Sequence, residues 1–158
     1  MAPKIHFGQD AFLIHIRESH ILVGNGPGFM DVEIAATVKA DGIEEKKNIG
    51  DIIATKKKEG IIVRLPDTTI SYVYAAGAKP KEYEADVLVL TTPDEKLISK
   101  IRPKLCVLMN STLYDARELH KKTGVQVIAA QHGLTIDLSD YNAMSQQKAL
   151  SQFTTKEE

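Results

Sequence analysis

The chain has no tryptophan and a single cysteine, Cys106, among 158 residues. A lone thiol cannot close an internal disulfide, and it cannot supply the paired cysteines of a zinc finger or a Cys-x-x-Cys redox motif. Aromatic residues make up only 6%, and no aromatic platform or second basic cluster accompanies the lysine run Lys56–Lys58, which argues against a nucleic-acid patch there. Neither sign of charge dominates, since 20 Lys and Arg stand against 21 Asp and Glu, a formal net charge of −1. That balance gives no general attraction to nucleic acid or to an anionic membrane surface. No apolar run approaches the roughly 18 residues of a membrane-crossing helix, and no charged leader followed by an apolar stretch opens the chain. Hydrophobic residues at 43% and charged residues at 26% are ordinary globular usage, which excludes disordered and collagen-like chains. The expectation is a soluble, cytoplasmic protein with no nucleic-acid or membrane partner.

Periodicity divides the sequence into a strand-rich first half and an alternating second half. Ala11 to Arg17 alternates, with Phe12, Ile14 and Ile16 on one face, and His20 to Val23 follows at hairpin spacing. Pairing Arg17 with His20 sets Ile16 opposite Ile21 and Ile14 opposite Val23, and leaves His15, Arg17 and His20 on the wetter face. Gly24-Asn-Gly-Pro-Gly28 neither continues a strand nor starts a helix and reads as a loop. Met30 to Lys39 fits a strand or a short helix equally. Glu44 to Lys47 reads as a solvated connection. Asp51 to Thr55, Gly60 to Leu65 and Thr69 to Tyr74 read as strands, with Lys56-Lys-Lys-Glu-Gly60 as a hairpin tip.

The apolar run Asp86 to Leu90 suits a strand covered on both faces. Thr92-Pro-Asp-Glu95 then combines a capping box with proline at the first helical position, and Leu97, Ile98 and Ile101 form the buried stripe before Pro103. Lys104 to Met109 is a second buried strand. Thr112-Leu-Tyr-Asp115 repeats the capping logic, Leu113, Ala116 and Leu119 give a stripe, and Gly124 stops the helix. Val125 to Ala130 and Leu134 to Leu138 complete the strands. Strands separated by helices with short joins predict locally parallel pairing. One domain over residues 1–140 is expected, followed by a polar tail or partner-docking helix over 141–158 in which Ala143, Leu150 and Phe153 keep a weak helical spacing.

Two segments resemble the metallo-β-lactamase fold superfamily. Phe12-Leu-Ile-His-Ile with Ile21-Leu-Val-Gly-Asn-Gly-Pro-Gly28 is similar to that family's opening hairpin, which usually enters an Asp-Pro-Gly turn. Ala85 to Leu90, Ile101 to Leu108, Thr123 to Ala130 and His132 to Leu138 follow the order of its closing portion. The resemblance implies an α/β fold, a truncated metallo-β-lactamase-like αβ sandwich of mixed sheets flanked by helices. It also implies hydrolytic chemistry on one or two zinc ions held by a His-x-His-x-Asp-His loop, and this sequence contains no such loop. Where the resemblance leads to metal ligands, the chain offers Gly24 for the aspartate of the opening turn, Ala75 and Ala76 near a strand end, and Asn110 for an imidazole. His132-Gly133 occupies a position often filled by Asp-Gly. Zinc needs about four donors drawn from thiolate, imidazole and carboxylate, and without the metal nothing lowers the pKa of an attacking water.

The expectation is therefore a non-catalytic protein of this fold, without a cofactor, acting as a binding or assembly module. A truncated sandwich exposes apolar surface, which predicts a homo-oligomer. Asn110, Ser111 and Thr112 read first as simple helix capping; if a vestigial ligand site survives, its place is this carboxyl edge of the parallel strands, on those three residues with Thr91 and Thr92. Its small-molecule ligand is not legible in the sequence. The loop residues Asn25, Gly26 and Gly28 could present amides to an anion, with Pro27 removing one of them. The alternative is a metal-dependent hydrolase, with zinc on relocated ligands drawn from His6, His15, His20 and His132 or completed by a partner subunit. Cys106, inside a predicted buried strand, is expected to be inert.

Overall fold

The computed structural model describes residues 3–25, 32–131 and 133–138. The chain falls into two compact units, Met1–Thr37 with Gln131–Glu158, and Val38–Ala130. Gly26, Gly28, His132 and the 141–158 tail lie outside the described residues. Among the described residues, no helix is long and apolar enough to cross a membrane.

A five-stranded sheet runs in the order β12-β1-β2-β3-β4, from β1 (Lys4–Phe7), β2 (Ala11–Ile16), β3 (Ser19–Gly24), β4 (Ala36–Val38) and β12 (Thr135–Asp137). Alternation sets its pattern: Ile5, Phe7, Phe12, Ile14, Ile16, Ile21 and Val23 share one side and are all buried. The rings of Phe7 and Phe12 lie 5.7 Å apart across β1 and β2. The hairpin register differs from the sequence expectation. Ile14 stands opposite Ile21, His15 opposite His20 and Ile16 opposite Ser19. Arg17 is not a strand residue. It adopts a left-handed φ of 56° in a two-residue turn with Glu18, which tightens the hairpin and moves the pairing by two residues. A shift of two preserves the parity of the faces, so the apolar side is the one expected. Of the ambiguous 30–39 stretch, the described part contributes strand β4 and no helix.

A seven-stranded sheet runs β11-β10-β9-β8-β7-β6-β5, from β5 (Glu45–Ile49), β6 (Ile52–Lys56), β7 (Gly60–Arg64), β8 (Thr69–Val73), β9 (Val87–Leu90), β10 (Leu105–Met109) and β11 (Val127–Ala130). β5 to β8 pair antiparallel, and β8 to β11 pair parallel. The parallel strands carry continuous apolar runs because both faces are buried. On one face Leu88, Leu90, Cys106, Leu108 and Val127 form a cluster with Leu97 and Ile98 of helix α1 (Glu95–Ile101) and with Ala116 and Leu119 of helix α2 (Leu113–Thr123).

Two charged stretches depart from the sequence reading. Glu44 to Lys47 is no connection: Glu45 onward forms β5, an edge strand whose charges hide it from any hydrophobic pattern. Lys56 is not at a hairpin tip. It ends β6 with its side chain only 6% exposed, and its Nζ lies 2.8 Å from the Asp41 carboxylate and 3.7 Å from that of Glu45. Lys56 holds the Asp41 carboxyl below the usual carboxylate range, first by hydrogen bonding.

The helix caps divide likewise. Thr112 Oγ1 accepts from the Asp115 amide at 3.2 Å, and Asp115 Oδ2 accepts from the Thr112 amide at 3.3 Å, the reciprocal box expected from sequence. Gly124 closes the same helix at φ 75°. The cap of α1, however, is Asp94 and not Thr92. Asp94 Oδ1 accepts from the Leu97 amide at 3.0 Å, and the helix begins at Glu95. A cap at Asp94 leaves Pro93 outside the helix and frees the Thr91-Thr92 segment to line a cavity.

Candidate functional site

Thr91 follows β9 directly, and its amide donates to the Val73 carbonyl at 3.2 Å. That bond ties the segment after β9 to the end of β8. Between the two strand ends lies a cavity of about 140 Å³, lined by Val73, Tyr74, Ala75, Ala76, Leu90, Thr91, Thr92, Pro93, Asp94 and Leu97. This is the carboxyl edge of parallel strands, a place where open α/β sheets commonly bind ligands. Apolar walls and the hydroxyls of Thr91 and Thr92 dominate it. The polar groups that titrate are already engaged. Asp94 caps α1. The Tyr74 hydroxyl donates to the Lys57 carbonyl and accepts from the Gly42 amide, each at 3.1 Å. The lining contains no histidine, cysteine or serine.

The threonine pair and the Asn110-Ser-Thr112 group do not share this cavity. Asn110 sits one strand further on, exposed at the end of β10 in a left-handed conformation (φ 61°), and Thr112 is committed to capping α2. Beside them Leu113 and Tyr114 are 55% and 69% exposed. Ala75 and Ala76, read from the sequence as standing where a metal-bridging carboxylate belongs, do line the cavity. Sequence reasoning missed Tyr74, Pro93 and Leu97 as wall residues. A strand-end position such as Tyr74 carries no local signal of facing a cavity.

The glycine loop is described only in part. Asn25 is exposed just beyond β3. At Gly24 the φ is 109°, and an added Cβ would lie 2.8 Å from the Asp10 carbonyl oxygen. A side chain there would need the backbone to shift, which bars the aspartate that the sequence resemblance implied for this turn. Cys106 lies fully buried in β10, and burial pushes its thiol well above the ordinary value. A thiol so placed is no nucleophile.

The structure gathers three of the scattered histidines. His15 and His20 are direct cross-strand partners whose rings stack at 4.2 Å with an interplanar angle of 16°. The His6 ring lies 6.3 Å from that of His15, and its Nδ1 shares a 2.9 Å hydrogen bond with Thr135 Oγ1. His15 and His20 share a face already in the sequence reading, whereas only strand register brings His6 beside them, because β1 carries no strand signal in the sequence. Partial burial, then the neighbouring imidazoles and Lys4, hold His6 below its ordinary pKa. Burial, then His15, does the same for His20. Lys4 stands opposite both His15 and Asp137 in the ladder, and Arg17 lies in the adjoining turn.

A folded pKa below the unfolded value means that the unfolded chain binds more protons, so stability falls as pH drops below about 6.5. Thermal unfolding at pH about 5.5 is expected at a lower Tm than at pH about 7.5. His15→Gln, which removes a shared source of repulsion, should shrink that difference. An unchanged Tm across this interval would refute the account.

Neither region suits zinc. The cavity offers one carboxylate, already a helix cap. The imidazoles are stacked with their planes nearly parallel, so the in-plane lone pairs of His15 and His20 cannot converge on one point. Among the described residues no group of three or more His, Cys, Asp or Glu could hold a metal ion.

No protein-family model matches the chain, and no curated protein does. Its fold nonetheless matches solved structures at low sequence identity. The metallo-β-lactamase fold protein YhfI from Bacillus subtilis aligns with a TM-score of 0.62 at 10% identity, over 87% of this chain and 100% of that one. Igni18, a metallo hydrolase of the archaeon Ignicoccus hospitalis, aligns at 0.59 and 11% identity, over 86% and 98%. An isothiocyanate hydrolase from Delia radicum gut bacteria aligns at 0.56 and 8%, over 85% and 98%. These likenesses show the fold. It is the metallo-β-lactamase fold, shared with neighbours that include hydrolases, on a chain lacking the His-x-His-x-Asp-His loop.

Proposed function

We propose that this chain is a non-catalytic protein of the metallo-β-lactamase fold, acting in the cytoplasm as a binding and assembly module. The observation that carries the reading is the donor set at the carboxyl edge of β8 and β9. Methyl, hydroxyl and aliphatic groups of Ala75, Ala76, Thr91 and Thr92 stand there, with a cavity of about 140 Å³ between them. Such a lining binds a small, largely neutral molecule by contact and by hydroxyl hydrogen bonds, and it neither activates water nor anchors a cation. The cofactor expectation is accordingly none.

The test is an elemental inventory of protein purified natively and without a histidine tag. Far less than one equivalent of zinc, iron or manganese is expected. A stoichiometric, tightly held metal would overturn the reading. Thermal stabilisation by glycerol or by inorganic phosphate locates binding further. Stabilisation lost in Ala76→Phe, which fills the cavity, marks the threonine pocket. Stabilisation by phosphate lost in Asn25→Ala moves the site to the glycine loop.

One observation favours a second reading, a metal-dependent hydrolase with relocated ligands: His6, His15 and His20 lie side by side. It requires the rings to unstack and a further donor, His132 or a partner subunit's residue, to complete the set. Metal uptake abolished by His15→Gln would support it.

A further inference from the structure

The two margins of the seven-stranded sheet differ in chemistry. β5 presents Glu45, Lys46 and Lys47, the charged protection typical of an edge strand. β11 reads Val127-Ile-Ala-Ala130, carries no charge, and is half-buried from Ile128 to Ala130. Ladder geometry decides which of its backbone groups are used. Cys106 pairs with Val127 in parallel register, and its amide donates to the Gln126 carbonyl at 2.8 Å. Alternate residues of a parallel strand bond to the same neighbour, so Ile128 directs its amide and carbonyl to β10. Val127 and Ala129 direct theirs to the other side, where β11 is the last strand and no described residue meets them.

We propose that a second copy of this chain pairs with that edge, β11 against β11 in antiparallel register about a twofold axis through Ile128. Val127 then stands opposite Ala129 of the other copy, and the amide and carbonyl of each are satisfied by their counterparts. The arrangement is self-complementary, as an isologous interface requires. The absence of charge selects the occupant. A strand like β5 would bring charged side chains against Val127 and Ala129, which pack into the apolar cluster, whereas a second β11 continues that cluster. A contact of four residues is small, so association is weak and populated only at high protein concentration.

This deepens the assembly part of the reading above. Variants that abolish binding in the threonine pocket leave it untouched, so the two fail separately. Sedimentation equilibrium of the full chain is expected to show a reversible monomer–dimer equilibrium reaching into the upper micromolar range. Ile128→Lys sets like charges against each other at the axis. Ala129→Pro removes an outward amide without touching the β10 ladder, the position at which an edge strand accepts proline. Both variants should be monomeric with wild-type cooperative unfolding. A strict monomer, a dimer that survives both substitutions, or a stoichiometric complex with a different protein on this edge would overturn the proposal. If either variant fails to fold, hydrogen exchange of the wild type decides. The Val127 and Ala129 amides should exchange about tenfold more slowly at the highest concentration than at the lowest, and exchange independent of concentration would count against pairing here.

Discussion

Gly60→Ala should lower the unfolding free energy by about 3 kcal/mol, the upper end for overpacking, and Tm by about 6–12 °C for a chain of this size. The sign is the informative part. Gly60 opens β7 outside the left-handed region, where replacing glycine by alanine ordinarily adds stability in a strand. Space forbids it here. A Cβ would lie 2.5 Å from the Tyr72 carbonyl oxygen and 2.9 Å from Tyr83 Cε1. Tyr83 cannot swing away without cost, because its ring is buried and its hydroxyl donates to Glu59 Oε2 at 3.3 Å. Adding Tyr83→Leu should restore part of the loss and no more, since the nearer obstacle is backbone. Chemical denaturation of the single and double variants measures both. A Gly60→Ala protein as stable as the parent would mean that β7 and β8 yield where the packing says they cannot.

Leu88→Ala is expected to cost about 2–5 kcal/mol, whereas the same change at Leu113 should stay within about 0.5 kcal/mol. Leu88 is 0% exposed in β9 and belongs to the cluster beneath α1 and α2. Leu113 is 55% exposed at the first turn of α2. From the sequence Leu113 reads as part of a buried stripe, and the structure instead buries Ala116 and Leu119 alone of that trio. Paired denaturation curves test the distinction. Equal losses would place Leu113 in a core that the fold does not give it.

Much of the parallel half was legible because its signals are local. Continuous apolar runs mark β9 and β10, the Thr112–Asp115 box marks the start of α2, and Gly124 marks its end. What failed to show is what depends on distant neighbours. β1 is four residues long, with Lys4 and His6 outside and Ile5 and Phe7 inside, too short to rise above noise until β2 and β12 flank it. β5 escaped because an edge strand protects itself with charge. Thr92 satisfied every requirement of a cap on paper, yet Asp94, two residues later, holds the helix. The candidate site divides the same way. Thr91 and Thr92 were found as strand-end residues, but the separation of Asn110 from their cavity, and the placing of His6 beside the His15–His20 pair, are products of register.

The unequal margins of the larger sheet also bear on how far self-association can go. Joining through the one bare edge consumes it, and what then remains outermost is Glu45-Lys46-Lys47 on either flank of the composite sheet. The smaller sheet ends in β4 and β12, each three residues long, too brief to template a further strand. Growth by strand addition therefore halts after a single step: among the described residues, a pair joined this way leaves no bare sheet margin from which a fibre could extend.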